Sequence, residues 1–375
     1  MIKRQVHVAV GASVALSLAV LAGVARAGSE DAAPARQAAV EGGHAAHLAA
    51  AAPTVGPTVT PVYGRGWRAL APLAGGPRQE HSVVAIGADV YVVGGIKPDG
   101  AGGLVTVTDV EVYDTRRDRW RRSAPLPVAM NHPNAAVVGG KLYVLGGLSG
   151  GASWEALGNS FVFDPATNRW SSLPPMPADV LRGSAAIGVS GSKIYLAAGM
   201  RTLTPGPGGL QDTVATVNSY DVVTRRWARL PDLPEARDHA GGAVVGTTLF
   251  VVGGRDRGQV NVRDTVFALD LRGGSWNARA SMPTARGGIA TAVIGTTIYT
   301  FGGEGNVVDG VNTVFPQTEA YDARRDRWQR LAPMPIPRHG GAAVAVGDSI
   351  YLPGGGNRGG GAPMDVNDAF RPGHR

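Results

Sequence analysis

Five arginines recur thirteen residues ahead of an aromatic residue: Arg78 before Tyr91, Arg182 before Tyr195, Arg237 before Phe250, Arg286 before Tyr299 and Arg338 before Tyr351. The sixth instance, ahead of Tyr143, carries Met130 instead, followed by Asn131 and His132. A guanidinium is a planar fork of donors, so a convergent set would bind a carboxylate or another anion. The competing role for each arginine is to tie down a carbonyl or an acid of its own repeat. Histidines crowd the same stretches: His81, His132, His239 and His339 stand 3, 2, 2 and 1 residues beyond the arginine register. Those unequal offsets do not describe one repeating ligand ring, and a metal needs ligands converging at about 2 Å. No metal site is therefore expected. Glu80, Asp238, Glu304 and Asp309 offer arginine partners or acid–base groups, but no spacing selects a catalytic couple. With no cysteine in the chain, disulfides, thiolate metal sites and a cysteine nucleophile are excluded. The turn-rich stretch Pro205–Gly209 lacks the strand-to-helix setting of a phosphate cradle, so no cofactor is expected.

The elements that must carry these residues follow from a repeat. Tryptophans recur at 67, 120, 170, 227, 276 and 328, at intervals of 53, 50, 57, 49 and 52. Glycine pairs keep step: Gly94-Gly95, Gly146-Gly147, Gly253-Gly254, Gly302-Gly303 and Gly354-Gly355, with Ala198-Gly199 as the variant member. A period near fifty, with short apolar runs broken by Gly, Asp and Pro, predicts four strands per unit and an all-β propeller. First strands are crowded with small residues, such as Ala135-Ala136 and Gly340-Gly341-Ala342-Ala343, as the crowded axis of a ring requires. Fourth strands carry the tryptophan, which fills the wedge between blades. Trp154 is off this register; it either packs its own loop or offers a stacking face to a ligand. The array opens on Trp67 without three strands before it and ends on three strands without a tryptophan. Trp67–Pro72 therefore supplies the outer strand of the sixth blade, beside a third strand at Val366–Phe370, and the ring closes without a disulfide.

These features resemble the Kelch repeat: paired glycines, then an aromatic residue, then tryptophan, seven residues apart in four units (Tyr113 and Trp120, for example) and nine from Phe267 to Trp276. The resemblance covers roughly Gly66 to Phe370. It implies a six-bladed Kelch-type propeller over residues 66–375. Some Kelch-type propellers are copper oxidases whose cofactor includes a cysteine-linked tyrosine; this chain cannot make it. Others resemble sialic-acid epimerases, which makes a sugar-active enzyme the alternative reading. One fold hosts many activities, and the reading from residues is a binding protein.

First-to-second and third-to-fourth turns are tight, for example Gly139-Gly140 and Pro165–Arg169. The second-to-third connections are long and share the opposite face with the arginine-bearing entries to the first strands. Recognition belongs on long loops held by a rigid scaffold. The expected ligand-binding residues are Arg78, Arg182, Arg237, Arg286, Arg338, His132 and Trp154, around the mouth of the central channel. The expected ligand is a peptide, a glycan or a cell-envelope protein, as the resemblance to peptide-binding Kelch proteins also implies.

The first 27 residues read as a cleaved export signal: Lys3 and Arg4, an apolar run to Val24, and the small-x-small site Ala25-Arg26-Ala27. Residues 28–65 read as an Ala/Pro-rich linker. The expected location is periplasmic or secreted, with no membrane span after cleavage, and the expected state is a monomer. The net charge of +7 includes Lys3, Arg4 and Arg26, and the other arginines occur singly or in pairs. Nucleic acid is not an expected partner.

Overall fold

Each repeat folds because its second and third strands are apolar on both faces and can be buried only between two neighbours. In the computed structural model, which describes residues 61, 63–151, 153–203 and 211–373, Asp89–Val93 and Val110–Asp114 are the middle strands of blade 1, between Ser82–Ile86 and Arg119–Arg122. Blade 2 is built from Ala135–Val138, Lys141–Ser149, Trp154–Asp164 and Arg169–Ser172. Blades 3, 4 and 5 begin at Ala186–Ser190, Gly241–Val245 and Ala290–Ile294 and repeat the antiparallel order. The expected all-β, six-bladed propeller is what the chain forms. The signal segment and nearly all of the linker lie outside the described residues. Among the described residues no helix is long and apolar enough to cross a membrane.

The sixth blade joins the two ends of the array. Its strands are Val344–Val346, Ser349–Pro353, Asn367–Phe370 and Trp67–Ala69, with Trp67 opposite Phe370 and Ala69 opposite Asp368. The closure expected from the unpaired tryptophan is present; the third strand starts one residue later than read from the sequence, at Asn367, and the outer strand starts at Trp67 as read but ends at Ala69 rather than Pro72.

The apolar core is divided among the blade boundaries. Tyr91, Val93 and Val112 of blade 1 pack with Leu142, Val144 and Phe163 of blade 2, and five comparable clusters sit at the other boundaries. Burying each Val, Leu, Ile or Phe contributes about 1.5–3 kcal/mol. The tryptophans latch the blades together. Trp120, Trp170, Trp276 and Trp328 each donate Nε1–H to a carbonyl of the preceding blade edge, at Ala71, Ala124, Pro231 and Ala280, at 2.8–2.9 Å. Trp67 does the same to Ala332 at 3.0 Å, across the join. At the axis, first strands touch directly: a Cβ on Gly242 would stand 2.2 Å from the Ile187 backbone nitrogen. This contact requires glycine.

The long connections are more ordered than loops. Four of them form hairpins standing on one face: Ile96–Pro98 with Leu104–Thr106, the extensions of the two middle blade 2 strands, Met200–Leu203 with Gln211–Thr213, and Glu304–Val308 with Val311–Val314. The blade 2 hairpin pairs with the blade 3 hairpin through Trp154 opposite Leu203. Ile96, Leu148, Trp154, Met200 and Leu203 form a seventh cluster on this face.

Candidate functional site at the channel mouth

The two residues following each arginine-register position build the mouth. The first bridges the residue just beyond its own blade's glycine pair: Gln79 to Ile96, Asn131 to Leu148, Gly183 to Met200, Asp238 to Arg255, Gly287 to Glu304 and His339 to Gly356. The second turns left-handed: Glu80, His132, Ser184, His239, Gly288 and Gly340 all have φ between 47° and 64°. A non-glycine residue in this region is strained unless its surroundings hold it. Here a closed belt of hydrogen bonds does so. Glu80 N–H donates to Gly340 O, His132 to Glu80 O, Ser184 to His132 O, Gly288 to His239 O and Gly340 to Gly288 O, at 2.5–3.2 Å. The remaining link, from His239 N–H, goes to the Ser184 hydroxyl at 3.2 Å.

These six residues face one end of a central cavity of about 440 Å³ whose walls are mostly the Gly, Ala, Val and Ile residues of the first strands. The side chains of Glu80, His132 and His239 meet there. His132 Nε2 lies 2.7 Å from Glu80 Oε2 and 2.9 Å from His239 Nε2, although the histidines come from blades 2 and 4. The Glu80 carboxylate fills the space a side chain would need at position 340, only 2.4 Å from a Cβ placed on Gly340. Burial pushes this carboxyl up, but His132, by charge and hydrogen bond, together with His239 and His339, holds it well below the usual carboxylate range. Burial pushes the His239 ring down, and Arg255 pushes it further. Arg255 is itself buried among Asp238, Glu304 and His239. Its burial pushes the guanidinium down, but Glu304 and Asp238 more than reverse that.

The five registered arginines do not ring the mouth; this corrects the expectation of an exposed cationic ligand site. All five are 0–4% exposed. Arg182 spends its donors on the carbonyls of Ala198, Val180 and Leu196 at 2.7–2.9 Å. Arg286 binds Gly302 O, Thr284 O and the buried Glu319. Arg78 pairs with Glu111 at 2.5 Å and Arg338 with Asp368 at 2.8 Å. Arg237 takes Gly253 O and Glu235 and lies over the Phe267 ring at 4.9 Å. Burial pushes Arg182 and Arg237 down to about 10. The physical reason is a set of carbonyls inside each blade: Arg182, Arg237 and Arg286 take the one at the first residue of the pair, Arg78 takes Asp109 O and Arg338 takes Leu352 O. Blade 2 manages without: Met130 packs with Phe161 in an apolar cluster.

Of the two roles open to Trp154, it takes the packing one and offers no stacking face to a ligand. It is 4% exposed, donates to Gly151 O at 3.0 Å and backs the His132 ring at 5.1 Å between centroids. His132 is the expected ligand residue that does reach the mouth. His81 is buried against Pro353 O, with its ring pushed down to about 3 by burial. His339 binds Gly360 O at 2.9 Å. Asp309 sits exposed in a hairpin turn, away from the cluster. Arg255 was not singled out from the sequence. The available signal was a charged residue directly after a glycine pair, where blades 1, 2 and 3 have Ile96, Leu148 and Met200.

Repeat, closure and belt define a six-bladed propeller with hairpins on one face, the class of scaffold used for protein interaction. Residues 135–356 match the family description KLHDC2/KLHL20/DRC7 Kelch-repeats domain, and residues 77–127 match the Kelch motif; the chain belongs to the Kelch-repeat family. It is similar to Kelch-like protein terF of Aspergillus terreus, at 40% identity over 79% of this chain and 65% of that one. It is also similar to Kelch-like protein 34 of Homo sapiens, at 36% identity over 50% of this chain and 28% of that one. The chain thus spans just under two thirds of the first relative and under a third of the second. A solved structure titled "Structure of YjhT" superposes with a TM-score of 0.64 at 17% identity, over 79% of this chain and 96% of that one, a likeness of fold.

Proposed function

We propose that this chain is an exported Kelch propeller that binds a polypeptide partner, such as a cell-envelope protein, on its hairpin face. One observation carries the reading. Among the described residues the exposed large apolar side chains are Tyr63, Val105, Val223, Val260, Val307, Val308 and Val311. Five of these seven sit on second-to-third connections of blades 1, 4 and 5. Water-facing valines grouped on the connections of one face are the kind of surface a protein partner covers. The buried arginines leave glycans and small anions without the cationic ring first expected for them.

The test is binding of the purified propeller to arrays of envelope-protein peptides, beside a sugar panel followed by NMR. Saturable peptide binding without sugar turnover supports the reading. Catalysed anomeric or epimeric exchange would favour the sugar-active alternative. Export carries its own test: protein recovered from the native cell envelope should begin at Gly28, and a retained Met1 would contradict cleavage.

A further inference from the structure

The two histidine rings at the mouth have their tautomers set by hydrogen bonds that can be followed outward. The Thr106 hydroxyl donates to Gly150 O at 2.7 Å, so it accepts from Asn131 Nδ2 at 2.8 Å. Asn131 Oδ1 therefore faces His132 Nδ1 at 2.7 Å, and that nitrogen must carry the hydrogen. On the other side the Thr213 hydroxyl donates to Asp238 Oδ2, while Asp238 Oδ1 stands 2.6 Å from His239 Nδ1. Again Nδ1 is the protonated nitrogen. Both rings thus hold their outer partners through Nδ1 and turn Nε2 toward the channel end. A histidine held through its other nitrogen by an amide or carboxylate oxygen is the usual support for a metal ligand.

Three atoms able to ligate a metal converge there. The Nε2 atoms are 2.9 Å apart, and Glu80 Oε2 is 2.7 Å from His132 Nε2 and 3.9 Å from His239 Nε2. Ligands at right angles around an ion at about 2.1 Å stand about 3 Å apart, which these separations bracket. Glu80, Asp238 and Glu304 are all buried around this cluster, and a buried carboxylate is stabilised by a paired cation or a coordinated metal.

We propose that Glu80, His132 and His239 bind one divalent first-row transition ion at the hairpin-face end of the channel. Two imidazoles and one carboxylate select such an ion over Mg²⁺ or Ca²⁺, which favour all-oxygen shells, and leave coordination positions open toward the cavity. Arg255 Nη2, now 3.0 Å from His239 Nε2, gives up that contact and keeps Asp238 and Glu304. The ion ties blades 1, 2 and 4 at the axis.

The experiment uses untagged full-length protein, stripped with a chelator and dialysed, then titrated with Co²⁺ by visible absorption and with Zn²⁺ by calorimetry. The expected result is one ion per chain, with imidazole-type Co²⁺ bands and no competition from Mg²⁺. His132→Gln and Glu80→Gln should each weaken binding at least 100-fold. Because a belt variant can lose its fold, ¹⁵N histidine spectra of the wild type provide a second readout: two Nε2 resonances should shift with Zn²⁺ while their Nδ1–H partners stay protonated. No specific uptake by the wild type, undiminished binding in folded His132→Gln, or shifts confined to other histidines would each overturn the proposal.

Discussion

Trp67 Nε1 donates to the carbonyl of Ala332, 265 residues further along the chain, at 3.0 Å. The same ring packs on Phe370 at 4.9 Å and Phe301 at 5.7 Å between centroids. One side chain near the start of the array thus locks the strand that closes it. Trp67→Ala should cost about 3–5 kcal/mol, read from urea unfolding. Removing residues through Pro72 should lower the melting temperature of the whole ring, whereas removing 28–60 should leave it unchanged. Equal melting temperatures would mean that the ring does not depend on this join.

The arginine register separates a scaffold role from ligand contact. Arg286→Met takes the nearest cation from buried Glu319, leaving it the Thr284 hydroxyl and Arg330 at 3.9 Å, and should cost about 3–5 kcal/mol. Arg182→Met strands carbonyls but no acid, and should cost less, about 1–3 kcal/mol. Denaturant midpoints at neutral pH check the order. Two stable variants that had lost only ligand affinity would restore the arginines to the binding surface.

Much of this was legible in the sequence, and the limit is physical. Trp67, Phe370 and the glycine pairs carry fold and closure because a repeat constrains packing at every period. The arginines were equally periodic, and for that reason architectural: a residue that recurs in five blades answers a need of the blade. The mouth chemistry lies in breaks of register, at Glu80, His132 and His239 where blades 5 and 6 have glycine, and at Arg255 and Glu304 where three others are apolar. Spacing alone could not show that blades 2 and 4 bring their histidines within 2.9 Å, because that contact crosses the axis.

Asp118 should give the fold a measurable acid dependence. Its carboxylate accepts from the Tyr113 hydroxyl at 2.6 Å and from Ala71 N–H at 2.8 Å, on the strand edge that closes the ring. These bonds, Tyr113 first, lower its pKa. A lowered folded pKa means stability that is present above the unfolded value of about 3.9 and lost as pH falls through the folded one. Asp118→Asn should therefore melt below the wild type at pH 7, by at most about 1 kcal/mol given its exposure to solvent. The gap should shrink below pH 4. A gap independent of pH would show that the charge plays no part.

The hairpin valines test the binding surface most directly. Val307, Val308 and Val311 are 48–61% exposed, so replacing all three with Glu should leave the melting temperature within a few degrees of the wild type. The deciding measurement is calorimetric titration of this triple variant, beside the wild type, with the tightest peptide from the envelope arrays. The account predicts at least a tenfold loss of affinity in a fully folded variant. Undiminished affinity would contradict it and move the partner off the hairpin face.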